Sequence, residues 1–163
     1  MTAITLTRRS LIVGAGVCGT LLTKSPFGVM ATATAAAALS PTTSMPGGSN
    51  NYVAKAPLVE NLGKGFLVSG TVLRAGSGDP LANVRIQIWA STERGGEREP
   101  SNRGSVLTDS KGAFRLEMSQ ILPNFGQPHA HLAYDDGAFG TVFLRPLLAS
   151  KSDTSVQAHF VLA

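Results

Sequence analysis

The chain has 163 residues, with 14 Lys and Arg against 10 Asp and Glu and a single cysteine. Residues 1–40 hold three of the basic residues (Arg8, Arg9 and Lys24) and no acid, so the rest carries 11 basic against 10 acidic residues and is almost neutral. Without a basic cluster, and with one tryptophan among scattered aromatics, a nucleic-acid partner finds no support; with Cys18 inside the first 40 residues, no disulfide can form within residues 41–163.

Thr7-Arg8-Arg9-Ser10-Leu11-Ile12 opens an apolar, Gly-rich run that ends at Leu22, and Ala31 to Ala38 offers small residues suited to cleavage. A charged start, a short apolar stretch and small residues describe a secretory signal, and the paired arginines resemble those of the twin-arginine route. Residues 1–40 are therefore expected to be a twin-arginine signal peptide, and the mature protein to be periplasmic or extracellular. Twelve apolar residues fall short of the ~20 needed to span a bilayer, so no stable membrane span is expected in the mature form.

Residues 41–65 begin rich in Ser, Thr, Pro, Gly and Asn and predict an extended arm. Residues 66–163 then show short β-type runs separated by turn residues, which predicts an all-β, antiparallel β-sandwich. The first strand runs from Phe66 to Leu73 and is followed by the turn Gly76-Ser77-Gly78-Asp79-Pro80. In the second, Val84, Ile86 and Ile88 alternate with Arg85 and Gln87, which places the former on the core face and the latter outside. Residues 91–105 are polar and charged without an apolar period and predict a solvated loop. Asp109 is expected to cap the turn between Val106-Leu107 and Ala113 to Met118. The histidine strand, a strand over 140–145 and a last strand from Val156 to Leu162 complete the domain.

The sequence Gln127-Pro128-His129-Ala130-His131-Leu132 carries the chemistry. Side chains alternate faces along a strand, so His129 and His131 share one face roughly 6–7 Å apart. Two imidazoles can converge on one metal ion from that spacing. His159 lies with Gln157 and Val161 on the outer face of the last strand. That is a surface position unless the fold brings it to His129 and His131, when a three-histidine site would favour Cu²⁺, Fe²⁺ or Zn²⁺ over Fe³⁺. Tyr134 falls on the face opposite His131, and Asp135 lies ~13 Å beyond His131 along the strand. Glu93, Glu97 and Glu99 are expected to be solvated, with the reach of one of them to a metal left open.

Several segments, taken in order, resemble intradiol ring-cleavage dioxygenases. The arm from Pro41 to Leu58, Val68-Ser69-Gly70-Thr71-Val72, Asp79-Pro80-Leu81-Ala82-Asn83-Val84 and Ile86-Gln87-Ile88-Trp89 resemble that family's arm and first two strands. Leu107-Thr108-Asp109-Ser110-Lys111-Gly112-Ala113-Phe114 is similar to its Thr-Asp-x-x-Gly turn, Pro128-His129-Ala130-His131-Leu132 to its Pro-His-x-His strand, and Phe160-Val161-Leu162 to its closing strand. The resemblance implies a β-sandwich that binds non-haem iron and cleaves a catechol-like aromatic substrate, with His129 and His131 as metal ligands. It also implies two tyrosine ligands to Fe³⁺, and here the chain departs from the pattern. Residues 91–107 contain no tyrosine, Phe125 stands nearest the place of the second, and Gln127 replaces an arginine that assists the substrate. The alternative is a non-catalytic sandwich module binding a metal, a small ligand or a protein, since the same scaffold pattern resembles transthyretin-like domains. Oligomeric state is not legible.

Overall fold

The structure is a computed structural model that describes residues 38–124 and 126–163. Residues 1–37, which hold most of the expected twin-arginine signal, and Phe125 lie outside the described residues. Eight strands follow in chain order: β1 (Asn61–Leu62), β2 (Gly65–Arg74), β3 (Arg85–Ala90), β4 (Arg103–Leu107), β5 (Ala113–Ser119), β6 (Ala130–Tyr134), β7 (Val142–Leu144) and β8 (Ser155–Leu162). They form two four-stranded sheets, ordered β1-β5-β2-β8 and β4-β3-β6-β7.

Alternation along the strands decides what lies between the sheets. Phe66, Val68 and Val72 of β2 and Ala158, Phe160 and Leu162 of β8 face inward from one sheet. Ile86, Ile88 and Ala90 of β3 and Ala130, Leu132 and Tyr134 of β6 face them from the other. Each large side chain so buried contributes about 1.5–3 kcal/mol. In place of the disulfide that the chain lacks, this apolar layer supplies the stability.

Two pairings are parallel, β2 with β8 and β1 with β5; the others are antiparallel. The close fit of β2 against β8 explains Gly70, where a Cβ would lie 1.6 Å from the carbonyl oxygen of Ala158. Asp109 caps its turn as expected, its Oδ1 accepting from the backbone N–H groups of Lys111 at 2.8 Å and Ala113 at 2.9 Å.

The outer face of the β4-β3-β6-β7 sheet is covered, and this differs from the simple alternation predicted for β3. Gln87 points away from the core yet is almost fully buried, because the arm crosses above it. Its Oε1 accepts from Ala56 N at 2.8 Å and its Nε2 donates to Asp135 Oδ1 at 2.7 Å. The arm is tied down along its length. Met45 N donates to Phe143 O at 2.8 Å, Ser105 N to Pro57 O at 2.7 Å, and Val59 N to Ser105 O at 3.0 Å.

Candidate metal centre

His129 and His131 lie on this covered outer face. His131 pairs across the ladder with Trp89 of β3, and the two rings stack nearly parallel, 5.1 Å apart. The rings of His129 and His131 meet edge to face at 4.9 Å. His129 Nδ1 donates to Gln127 O at 2.8 Å, and His131 Nδ1 donates to Gly48 O of the arm at 3.0 Å. A carbonyl oxygen only accepts, so in the neutral ring each Nδ1 carries the hydrogen and each Nε2 keeps a lone pair. Burial holds the His131 pKa below its ordinary 6.5, against the opposing Gly48 bond and the Glu97 charge. His131 is therefore neutral at pH 7.

Both Nε2 atoms face Glu97. Glu97 Oε1 lies 3.3 Å from His129 Nε2, and Oε2 lies 3.4 Å from His131 Nε2. Glu97 is 5 % exposed, contrary to the solvated position expected for it, whereas Glu93 and Glu99 are exposed. The loop holds its shape because Asn102, fully buried, donates through Nδ2 to the carbonyls of Gly95 at 2.8 Å and Gly96 at 3.0 Å. Its Oδ1 accepts from Thr92 Oγ1 at 2.7 Å. Asn51 Nδ2 donates to Glu97 Oε2 at 2.7 Å and Asn124 Nδ2 to Oε1 at 3.3 Å. Burial alone would raise the Glu97 pKa, but these two bonds and the adjacent histidines outweigh it and hold the carboxyl below its ordinary 4.5.

Glu97, His129 and His131 thus bring three donor atoms within 4.8 Å of one another. They line a cleft of about 240 Å³ together with Asn50, Asn51, Asn124 and Arg145. Arg145 Nη2 stands 3.4 Å from His129 Nδ1, where a donor faces a donor, and the buried Nε has no partner. No Asp or Glu of the described residues pairs with it, and residues 1–37 contain none.

The other predicted candidates lie elsewhere. His159 does not join the pair. It projects from β8 in the opposite sheet, exposed, with Nδ1 2.9 Å from Thr71 Oγ1. The Tyr134 hydroxyl is turned into the sandwich and accepts from Phe139 N at 3.1 Å. Tyr52 packs edge-on to Phe143 and against Trp89, with its hydroxyl donating to Asp135. Neither phenol reaches the cleft, so the described residues do not fit a ferric ion held by two phenolates. The sequence places Glu97 in a polar loop expected to be solvated and does not single it out from Glu93 and Glu99. The buried Asn102 that shapes that loop carries no distinctive pattern in the sequence.

No protein-family model and no curated protein matches the sequence. Solved structures do match. Chlorocatechol 1,2-dioxygenase from Pseudomonas putida aligns at 17 % identity over 68 % of this chain and 68 % of its own, with a TM-score of 0.51. The dioxygenase domain of a dioxygenase–carbohydrate-binding protein fusion from Streptomyces sp. SirexAA-E aligns at 16 % identity over 68 % of this chain and 91 % of its own, with a TM-score of 0.54. The fold is intradiol dioxygenase-like. Hydroxyquinol 1,2-dioxygenase from Pseudomonas putida DLL-E4 extends the same likeness to 76 % of this chain and 67 % of its own, at 15 % identity and a TM-score of 0.54. At such identities the likeness is one of fold, and the intradiol-like scaffold carries a donor set of its own.

Proposed function

We propose that this chain is an exported, metal-dependent oxidoreductase of the intradiol type, acting on a catechol-like aromatic compound with non-haem iron bound at His129 and His131. The observation that carries the reading is the convergence of two histidine Nε2 atoms, with tautomers fixed by backbone carbonyls, on a cleft in an intradiol dioxygenase-like sandwich. A cleft of about 240 Å³ is smaller than the ~300–1,000 Å³ of drug-sized pockets and suits a single-ring compound.

Each group in the cleft has a separate task. The Gln127 and Gly48 carbonyls orient the two rings, as partners of metal-bound histidines commonly do. Trp89 and the arm bury His131 completely and keep water from its far side. Arg145 offers a cation without an acid partner to the ionised oxygen of a bound phenol, and Asn50, Asn51 and Asn124 supply polar lining for a second hydroxyl. A metal held there supplies a Lewis acid for the substrate oxygens.

The second reading is a non-catalytic module that binds a metal or small ligand, and the failure of both tyrosines to reach the cleft favours it. Oxygen uptake separates the two. The exported protein, iron-loaded and offered catechol, chlorocatechol and hydroxyquinol, is expected to consume O₂ with at least one of them. Bound iron without uptake would favour the binding module, and no bound metal would overturn the metal reading.

A further inference from the structure

We infer that Glu97 is the third protein ligand, so that the centre is a two-histidine, one-carboxylate set for a divalent metal, Fe²⁺ by its chemistry, in place of a ferric ion held by phenolates. The inference rests on the proposed metal centre and assigns the ligand and oxidation state that the proposal leaves open.

Four observations carry it. First, the spacing fits. Nitrogen and oxygen ligands sit ~2.0–2.2 Å from a metal such as zinc, which puts neighbouring donors of one ion about 3.0–3.5 Å apart. His129 Nε2 lies 3.3 Å from Glu97 Oε1 and His131 Nε2 lies 3.4 Å from Oε2, so each histidine meets its own carboxylate oxygen, and one donor atom from each of the three residues lies within 4.8 Å of the others.

Second, the cleft holds a buried nitrogen with nothing bound to it. With both Nδ1 atoms donating to backbone carbonyls, both Nε2 atoms are turned toward Glu97. Among the described residues nothing satisfies His131 Nε2, a fully buried atom without a hydrogen-bond partner. A cation between the three donors resolves this.

Third, the carboxylate is built in. A buried charge is costly unless paired, and no Lys or Arg of the described residues forms an ion pair with Glu97. Yet Asn51 and Asn124 hold each oxygen in place, and Arg98 Nε steadies Asn51 through its Oδ1 at 2.8 Å. Orienting bonds to a ligating carboxylate are the usual support of a metal site.

Fourth, the donor charge suits a divalent ion better than a trivalent one, leaving a residual +1 where Fe³⁺ would leave +2. Two neutral imidazoles and one carboxylate give a single anionic donor, and neither Tyr52 nor Tyr134 brings a second. Two histidines and a carboxylate with open positions are the ligand set typical of Fe²⁺ oxygenases.

The test uses the full exported protein, stripped with chelator and reloaded anaerobically with Fe²⁺, with Co²⁺ as a spectroscopic stand-in, and separately with Fe³⁺. Bound metal per chain and the Co²⁺ visible spectrum are read for the parent, His131→Ala and Glu97→Gln, with circular dichroism confirming that each is folded. The parent is expected to bind one divalent ion and to lack an intense visible charge-transfer band with Fe³⁺. His131→Ala should abolish binding, and Glu97→Gln should weaken it beyond the ~10–100-fold typical of losing a mere supporting partner, with an altered Co²⁺ spectrum. Parent-like binding by Glu97→Gln beside loss in His131→Ala would overturn the inference and leave the metal centre standing. A reddish Fe³⁺ protein would also overturn it, since a phenolate would then reach the metal. No divalent binding by the parent would overturn both readings.

Discussion

Gly48→Ala should damage the centre from a distance, because this glycine is where the arm touches both the sheet and the histidine. A Cβ built at residue 48 would lie 2.8 Å from Phe143 O, 2.9 Å from Phe143 C and 3.0 Å from Met45 O. All three are backbone atoms, so no side-chain rotation relieves the contact. Reaching ordinary van der Waals separation requires the arm to lift by about half an ångström or more, against an interior that is packed without slack. The lift strains two hydrogen bonds, Met45 N to Phe143 O at 2.8 Å and His131 Nδ1 to Gly48 O at 3.0 Å. Net contributions near 1 kcal/mol per bond put the loss at about 2 kcal/mol. Freeing His131 from its carbonyl should also weaken metal binding by about 10–100-fold, the usual effect of removing a ligand's orienting partner. Urea unfolding measures the first quantity and competition with a chelator the second. Gly96→Ala is the control, since nothing lies within 4 Å of its added Cβ. Parent-like stability and metal affinity in Gly48→Ala would refute the argument that arm docking positions His131.

Gly70→Ala should be far more severe for stability, because its Cβ would overlap the Ala158 carbonyl oxygen at 1.6 Å and force β2 and β8 apart; loss of soluble, cooperatively unfolding protein is expected. His159→Ala should leave metal content unchanged and shift stability by no more than about 1 kcal/mol, since it removes only one exposed bond to Thr71. Acid should destabilise the metal-free protein. His131 is held below its ordinary 6.5, so the unfolded chain takes up that proton first and stability falls as pH drops through 6.5 toward the folded-state value. Lower still, Glu97, held below 4.5, continues the loss while Asp135, raised above 3.8 by burial and by Asp136, opposes it; urea midpoints from pH 8 downward measure the slope. Replacing Arg8 and Arg9 together with lysine should retain the protein in the cytoplasm, which fractionation would show.

The strands were legible because their apolar residues alternate against polar ones. Val68 and Val72 in β2, and Ala158, Phe160 and Leu162 in β8, point to the core as parity requires. The short β1 escaped notice, since two residues give no period. Parity also placed His129 and His131 together, and the surface position of His159 came from the same rule. It misled at Gln87, because a second layer covers the outer face of β3 and period-two patterning reports which side a residue faces, not what lies there. Glu97 was illegible for a related reason. Its position comes from Asn102, whose bonds to Gly95 and Gly96 span 7 and 6 residues, and from Asn51 and Asn124, whose bonds to Glu97 itself span 46 and 27, which no local pattern encodes.

The centre stands outside the sandwich. Its three donors and the residues that steady them come from the arm, the 91–102 loop, positions 124, 127 and 129 ahead of β6, and the outward-facing His131 of β6, while the apolar layer is built from inward strand positions. Foldability and reactivity are thereby written in separate sets of residues. If Glu97 is a ligand as inferred, exchanging it for another donor leaves the apolar layer untouched, so selection confined to the loop, with the buried Thr92 and Asn102 kept, would test which ion the cleft holds. The scaffold acts as an interchangeable chassis, and swapping residues 91–102 for loops bearing other donors is a direct way to explore which reactivities it will host.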